Sequence, residues 1–244
     1  MPDNLRPQVP AADQTLRILS LLARQPGPMA AQTMATTLGI PRSSVYHLLS
    51  TLEQHGYVVH LPGDRRWGLG TAAFELGGGY TRQQPLARLG RPLLAALSDR
   101  VGESAHLAVL AGRDVLYIVE ERAPRRPALV TDVGVRLPAH LTATGRAMLA
   151  ALPREQVRAL FPDATALTQR HGLGPATPRA LREVLREVRA AGYASENGEV
   201  TPGFRSVAAA VLDHAGWPAA AVAITWPADG PPHDAAALAS AASA

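Results

Sequence analysis

The chain has 244 residues, of which 47% are hydrophobic and 18% charged. That is enough apolar content for one large core or two small ones, and it excludes disorder throughout. All 24 basic residues are Arg, set against 20 Asp and Glu for a net charge of +4, and Cys is absent, which excludes disulfides, thiolate metal sites and Cys nucleophiles.

The charge excess is local. Residues 1–80 carry six Arg and five acids, residues 81–100 four Arg and one Asp, and residues 101–244 fourteen of each. An excess this modest argues only weakly for nucleic acid when taken alone. No apolar run approaches the ~18 residues of a membrane span, and the first residues lack the apolar core of a secretion signal. The expectation is a cytoplasmic protein with no membrane partner.

In chain order, residues 1–12 read as a flexible tail. Helical spacing begins at Asp13, a candidate N-cap, and continues through Leu16, Leu19, Leu22 and Ala23. Pro26-Gly27-Pro28 ends that helix. Met29 to Leu38 predicts a second helix closed by Gly39, and Pro41 suits the first turn of a third. There Val45, Leu48, Leu49 and Leu52 make an i, i+3, i+4, i+7 stripe, with Gly56 just past the end. Tyr57–His60 and Arg66–Leu69 predict a two-stranded hairpin around Leu61 to Arg65.

Thr71 to Leu76 and Leu86 to Leu97 read as helices parted by Gly77-Gly78-Gly79, a costly run inside a helix. The triplet is expected to be a joint, with the domain boundary near residue 80. The expected division is a first domain over 13–79, a linker helix over 80–98 and a second domain over 99–244.

Beyond the joint, Ser104–Ala111 and Val115–Glu121 predict a hairpin around Gly112-Arg113-Asp114, and Val130–Val133 a short strand. Thr142 to Ala151 reads as helical. Thr177-Pro178 opens a helix in which Leu181, Val184, Leu185 and Val188 share a face, ended by Gly192. Tyr193–Ser195, Ser206–Leu212 and Ala219–Thr225 predict strands, and the Ala-rich segment from Asp234 a weak helix. The fold class is α+β, with an antiparallel sheet covered by helices in the second part.

Three helices followed by a hairpin make the pattern of a winged helix-turn-helix. Its third helix must enter the major groove, so its exposed face needs small or donor-bearing side chains. Opposite the Leu stripe stand Arg42, Ser43, Ser44, Tyr46, His47 and Ser50. Arg42 lies in the first turn, where helix amides also favour phosphate. Arg65 and Arg66 in the hairpin turn are placed to reach phosphate or the minor groove. The same pattern also fits a protein-interaction module, with the two Ser merely favouring the helix start and the two Arg a solvated turn.

Gly39-Ile40-Pro41-Arg42-Ser43-Ser44-Val45-Tyr46-His47-Leu48-Leu49-Ser50-Thr51-Leu52, then Gly56-Tyr57, resembles the recognition segment of the IclR family of bacterial transcriptional regulators. Gly134-Val135-Arg136-Leu137-Pro138-Ala139-His140-Leu141-Thr142-Ala143-Thr144-Gly145-Arg146-Ala147-Met148-Leu149-Ala150 resembles that family's effector-domain signature, as do Glu199, Pro202-Gly203-Phe204 and Val207-Ala208-Ala209. The resemblance covers about residues 13–226. It implies a winged helix joined to a GAF-like, PAS-related domain. It also implies homodimers, and commonly dimers of dimers, on double-stranded operator DNA, answering to a small organic or aromatic acid. Repression is the commoner mode, with activation as the alternative. His47 stands where relatives more often place Arg.

For the effector site, Thr142 can cap a helix whose first turn, Ala143-Thr144-Gly145, leaves amides without intrahelical acceptors. A carboxylate there meets the positive end of the helix dipole, and the small Ala143 and Gly145 leave room for it. The resemblance points to the same segment. It sets Ser206 where several relatives have Cys, and Glu196 where some have an acidic contact. An ionised Glu196 repels a carboxylate, so it is expected at a hydroxyl or amide end of the ligand. Leu129, Leu137, Met148 and Leu149 are the expected apolar lining. No catalytic constellation is present: the eight His show no metal spacing, and there is no G-x-S-x-G elbow or phosphate-loop Lys. The expectation is a regulator with no cofactor and no metal. A sensor or interaction module without specific DNA binding is the rival, and an esterase-like use of Ser206 a remote one.

Overall fold

The computed structural model describes residues 8–25, 27–83, 85–124, 131–230 and 233–243, which fall into two compact units, Met1–Gln83 and Gln84–Ala244. The expected lining residue Leu129 and the start of the expected Val130–Val133 strand lie outside the described residues.

The first unit opens with α1 (Pro10–Ala23), α2 (Ala31–Leu38) and α3 (Arg42–Gln54). Two expectations at α1 are corrected. The helix begins at Pro10, within the expected tail, because Pro suits a first turn whose amide has no partner. Asp13 is therefore not the N-cap but a first-turn acid, 3.7 Å from Arg17 on the next turn. Gly39 closes α2 in the left-handed region at φ 66°, where a side chain is strained. Pro41 sits one position earlier than expected, as the N-cap of α3.

Strands β1 (Val58–Leu61) and β2 (Arg66–Leu69) pair antiparallel to form the wing. Met29, expected to begin α2, instead exchanges two backbone hydrogen bonds with Trp67 of 2.9 and 2.8 Å and so adds a third short edge to the wing. Ile18, Met34, Val45, Leu49, Val58 and Trp67 close the core. Each such side chain contributes about 1.5–3 kcal/mol. The helix α4 (Thr71–Gln83) then runs unbroken through Gly77-Gly78-Gly79. The expected break is absent, so propensity alone did not decide the local conformation.

The second unit begins with α5 (Pro85–Val101) and continues with β3 (Ser104–Ala111), β4 (Asp114–Glu121), β5 (Arg136–Pro138), α6 (Ala143–Ala151) and α7 (Arg154–Leu160). It ends with α8 (Pro178–Ala191), β6 (Ala194–Asn197), β7 (Phe204–Leu212), β8 (Pro218–Pro227) and α9 (Ala235–Ser243). The six strands form one antiparallel sheet in the order β5-β4-β3-β8-β7-β6. The short strand expected at 130–133 is found instead at Arg136–Pro138. Residues 132–134 make a turn, with Gly134 at φ 88°.

Side chains alternate across this sheet. Tyr117, Ala208, Ala221 and Ala223 face α6, α7 and α8, whereas Leu107, Val119, Val207, Val222 and Ile224 face α5 and α9. The small residues on the first face let α6 lie close to the strands. Of the segment read as a linker helix, residues 80–83 end α4 in the first unit, and residues 85–98 lie in α5, which packs Leu94 and Leu97 onto the second face and belongs to the second unit.

Candidate functional site

Two features carry chemistry, one in each unit. In the first, α3 buries Val45, Leu49 and Leu52. That leaves Arg42, Ser43, Tyr46, His47 and Ser50 exposed together along the other side. Ser44 lies half-buried at the edge of the core, so it is less available than the sequence pattern implied. The Arg42 guanidinium lies 5.6 Å from the centre of the Tyr46 ring one turn on, within cation–π range. In the wing turn Arg65 is exposed and is the single non-Gly residue with positive φ among the described residues, at 52°. Arg66 is exposed and donates from Nη1 to the Pro28 carbonyl at 3.4 Å, which ties its side chain to the chain entering α2.

In the second unit, β3, β4, β6, β7, β8 and the start of α6 line a small polar cavity of about 20 Å³. Thr142, Ala143, Thr144, Glu196 and Ser206, all expected from the sequence, line it together. Thr142 caps α6: its Oγ1 accepts from the Gly145 amide at 3.0 Å and donates to the Ala139 carbonyl at 3.5 Å. Ser206 Oγ donates to Glu196 Oε1 at 2.8 Å and stands 3.0 Å from Thr225 Oγ1.

Four expected residues do not line the cavity. Gly145 is small for a different reason: a Cβ there would lie 2.2 Å from the Ala139 carbonyl oxygen, so it serves backbone packing rather than ligand approach. Leu137, Met148 and Leu149 are consumed by the core between α6 and its neighbours, at 3%, 0% and 0% exposure.

The structure adds His106, Tyr117, Thr131 and Thr225, which the sequence analysis missed. Thr131 Oγ1 lies 2.9 Å from His106 Nε2, and Tyr117 Oη 3.2 Å from Thr144 Oγ1. Among the described residues, the buried His106 Nδ1 has no hydrogen-bond partner. A period-two signal was available: His106 shares its strand face with Ser104 and the buried Ala108, an inward position for a polar ring.

Burial governs the ionisation of this cluster. It pushes the His106 imidazole down to about 4, helped by the charge of Arg122, so the ring is neutral at physiological pH. It raises the Tyr117 phenol well above its ordinary range, outweighing the Thr144 hydrogen bond. It also pushes Glu196 up to about 7 against the Ser206 hydrogen bond, with the charge of Glu199 acting in the same direction. The carboxylate repulsion expected of Glu196 is thereby weakened, because near neutrality about half of the population carries the proton.

Next to the cavity, Arg146 clamps the unit together. Its Nε donates to the His140 carbonyl at 2.9 Å, Nη1 to the Ser195 carbonyl at 2.8 Å, and Nη2 to Glu199 Oε1 at 2.9 Å. Burial raises the Glu199 carboxyl, but the Arg146 charge and the Asn197 amide outweigh it and hold the group below its usual value. His140, in the same signature, bonds the Thr168 carbonyl at 2.9 Å and orders the loop before α6.

Comparison with known proteins agrees with this geometry. Residues 11–62 match the IclR helix-turn-helix domain, and residues 78–230 match the bacterial transcriptional regulator IclR C-terminal domain. The chain is 30% identical over 228 residues to the transcriptional repressor IclR of Escherichia coli (strain K12), spanning 90% of this chain and 81% of that protein. The crystal structure of an IclR transcriptional regulator from Alicyclobacillus acidocaldarius aligns with a TM-score of 0.80 at 25% identity, over 97% of this chain and 95% of that one. An IclR homolog from Microbacterium hydrocarbonoxydans, crystallised with 4-hydroxybenzoate, aligns with a TM-score of 0.74 at 20% identity, over 96% of each chain. Among the described residues no helix is long and apolar enough to cross a membrane. The helix-turn-helix with its wing, the six-stranded effector domain and both family matches together make this chain a member of the IclR family of bacterial transcriptional regulators.

Proposed function

We propose that the chain is a repressor that reads operator DNA through the exposed face of α3 and is released by a small organic acid in the cavity at the start of α6. Arg42, Ser43, Tyr46 and His47 face the bases or their flanking phosphates, with Ser44 at the margin. Arg65 and Arg66 in the wing meet phosphate or the minor groove. What supports the assignment is that α3 buries one stripe and leaves donors, a guanidinium and a small hydroxyl together on the other.

The effector is a carboxylic acid with a further polar group. Its carboxylate is drawn to the first turn of α6 and the Thr142 and Thr144 hydroxyls. Its other end meets Ser206, Thr225 and a protonated Glu196, which donates rather than repels. The relative crystallised with 4-hydroxybenzoate supports this class. A cavity of about 20 Å³ holds about one water, so the acid binds a more open form. It shifts the regulator only by its preference for that form.

A homodimer on a two-fold operator completes the proposal. Its support is the large apolar side chains left uncovered on α4 and α5: Phe74 at 84%, Leu76 at 63%, Leu89 at 60% and Leu93 at 69% exposure. Residues 13–79 then read DNA, and the unit from residue 84 carries the effector cavity. A thermal-shift screen of aromatic and short-chain acids tests the ligand class. A native-state ligand raises the melting point, whereas a flat response to every acid contradicts the assignment.

A further inference from the structure

Away from the polar cavity, α7 and α8 lie side by side over a cleft of about 410 Å³. Six guanidiniums line it, Arg154 and Arg158 from α7 and Arg179, Arg182, Arg186 and Arg189 from α8, with one carboxylate, Glu183. Residues 101–244 hold equal numbers of Arg and acids, so this concentration is a local segregation of charge rather than a reflection of composition. Because the chain contains no Lys, the choice of Arg over Lys carries no information; only the placement does.

The placement follows from helix geometry. Leu181, Leu185 and Val188 are buried under α8, and steps of three, four and three then set its four Arg in one row along the flank. The row spans ten residue steps, about 15 Å of helix axis. Arg154 and Arg158, one turn apart on α7, form the opposite bank, and Val157 and Phe161 close the floor between them. Of these six Arg, all among the described residues, ion pairing engages only Arg179, whose Nε lies 3.2 Å from Glu183 Oε1 on the exposed surface. Arg189 is held by its Nε to the Ala150 carbonyl at 2.7 Å. Its guanidinium is less easily kept charged than usual, through burial and then the like charge of Arg154. Five cations thus stand together without a paired carboxylate, although like charges one turn apart destabilise a helix.

We propose that this cleft docks an acidic amphipathic helical segment of a partner protein. A site for a compact anion converges its donors on one point; here they run in a line. Carboxylates at every third and fourth position of a helix repeat at the same axial step as Arg179, Arg182, Arg186 and Arg189. A peptide helix laid in the trough pairs its acids with both banks and sets its apolar edge on the Arg stems and floor. The surface is separate from the effector cavity and independent of what that cavity binds.

The test is fluorescence anisotropy of the full chain with a labelled amphipathic peptide carrying Glu at every third and fourth position and Leu along the other edge. Its Gln counterpart, a single-stranded oligonucleotide and a nucleoside triphosphate serve as competitors. The Glu peptide is expected to bind roughly tenfold tighter than the Gln peptide at low salt and to weaken as salt rises. Arg182→Glu with Arg186→Glu is expected to weaken it roughly tenfold or more, with operator binding unchanged. Arg136→Glu, exposed elsewhere on the same unit, is expected to leave peptide binding as it was. Arg158→Ala with Arg182→Ala gives a milder pair should the reversal disturb folding. Equal binding of the Glu and Gln peptides, indifference to both double variants, or stronger competition by the oligonucleotide or the triphosphate than by the unlabelled peptide would overturn the proposal.

Discussion

Replacing Glu196 by Gln should stabilise the effector unit at alkaline pH and leave it nearly unchanged in mild acid. Burial, opposed by the Ser206 hydrogen bond and aided by Glu199, moves this carboxyl from 4.5 to about 7. Each pKa unit is worth about 1.36 kcal/mol, so ionising the buried group costs the folded state about 3 kcal/mol. The sign follows from linkage. A raised carboxyl binds its proton more tightly in the folded than in the unfolded chain. Its contribution is therefore full below the unfolded value, fades as pH rises through the folded value of about 7, and is absent above it. Gln is neutral at every pH and keeps an oxygen for the Ser206 hydroxyl, which lies 2.8 Å from Oε1. The variant should thus match the native chain near about pH 4 and exceed it by about 3 kcal/mol near about pH 8.5. Amide hydrogen exchange in peptides covering residues 194–212, corrected for intrinsic rates, reads this unit without interference from the other. Equal protection of the two proteins at both pH values, or a variant less protected at both, would refute the electrostatic account of the cavity.

Three further outcomes follow. Arg42→Ala should weaken operator binding and lower the slope of log affinity against log salt by about 0.9, one phosphate's worth; gel shifts across a salt series measure it. Ser206→Leu should retain operator binding and lose release by the acid, because the hydroxyl joining Glu196 and Thr225 is gone and the cavity is filled; a gel shift with and without effector decides this. Arg146→Met should cost about 3–5 kcal/mol, leaving Glu199 and two carbonyls without their partner. Adding Glu199→Gln should restore part of that loss in thermal unfolding.

Local signals in the sequence carried most of the fold. The Leu stripe of α3, the left-handed Gly39, the Thr142 and Thr177 caps and the Gly192 stop all sit where capping and periodicity placed them. What failed depended on tertiary context. The α4 helix continues through three Gly that propensity assigns to a break, and Met29 leaves α2 to pair with Trp67 across the wing.

The same division holds at the effector cavity. Thr142, Ala143 and Thr144 are contiguous and were legible as a helix start, and Glu196 and Ser206 came from the family resemblance. His106, Tyr117 and Thr225 come from β3, β4 and β8, which meet only once the strand order is known. Leu137, Met148 and Leu149 show the converse error: apolar residues next to a site motif are claimed by the core, which needs them more than a polar cavity does. Gly145 was identified as special, but the reason is the Ala139 backbone against it.

On this proposal the exposed side of α3 recognises a particular DNA sequence under the control of the downstream cavity. The direct measurement is a competitive gel shift of the full chain on the DNA flanking its own coding sequence, with random duplex as competitor, repeated with the acid that most raises the melting point. Retention of that fragment over random DNA by a factor of roughly 10³ or more is expected, with its release by the acid. Equal affinity for both DNAs, or a specific complex that no stabilising acid alters, would contradict it.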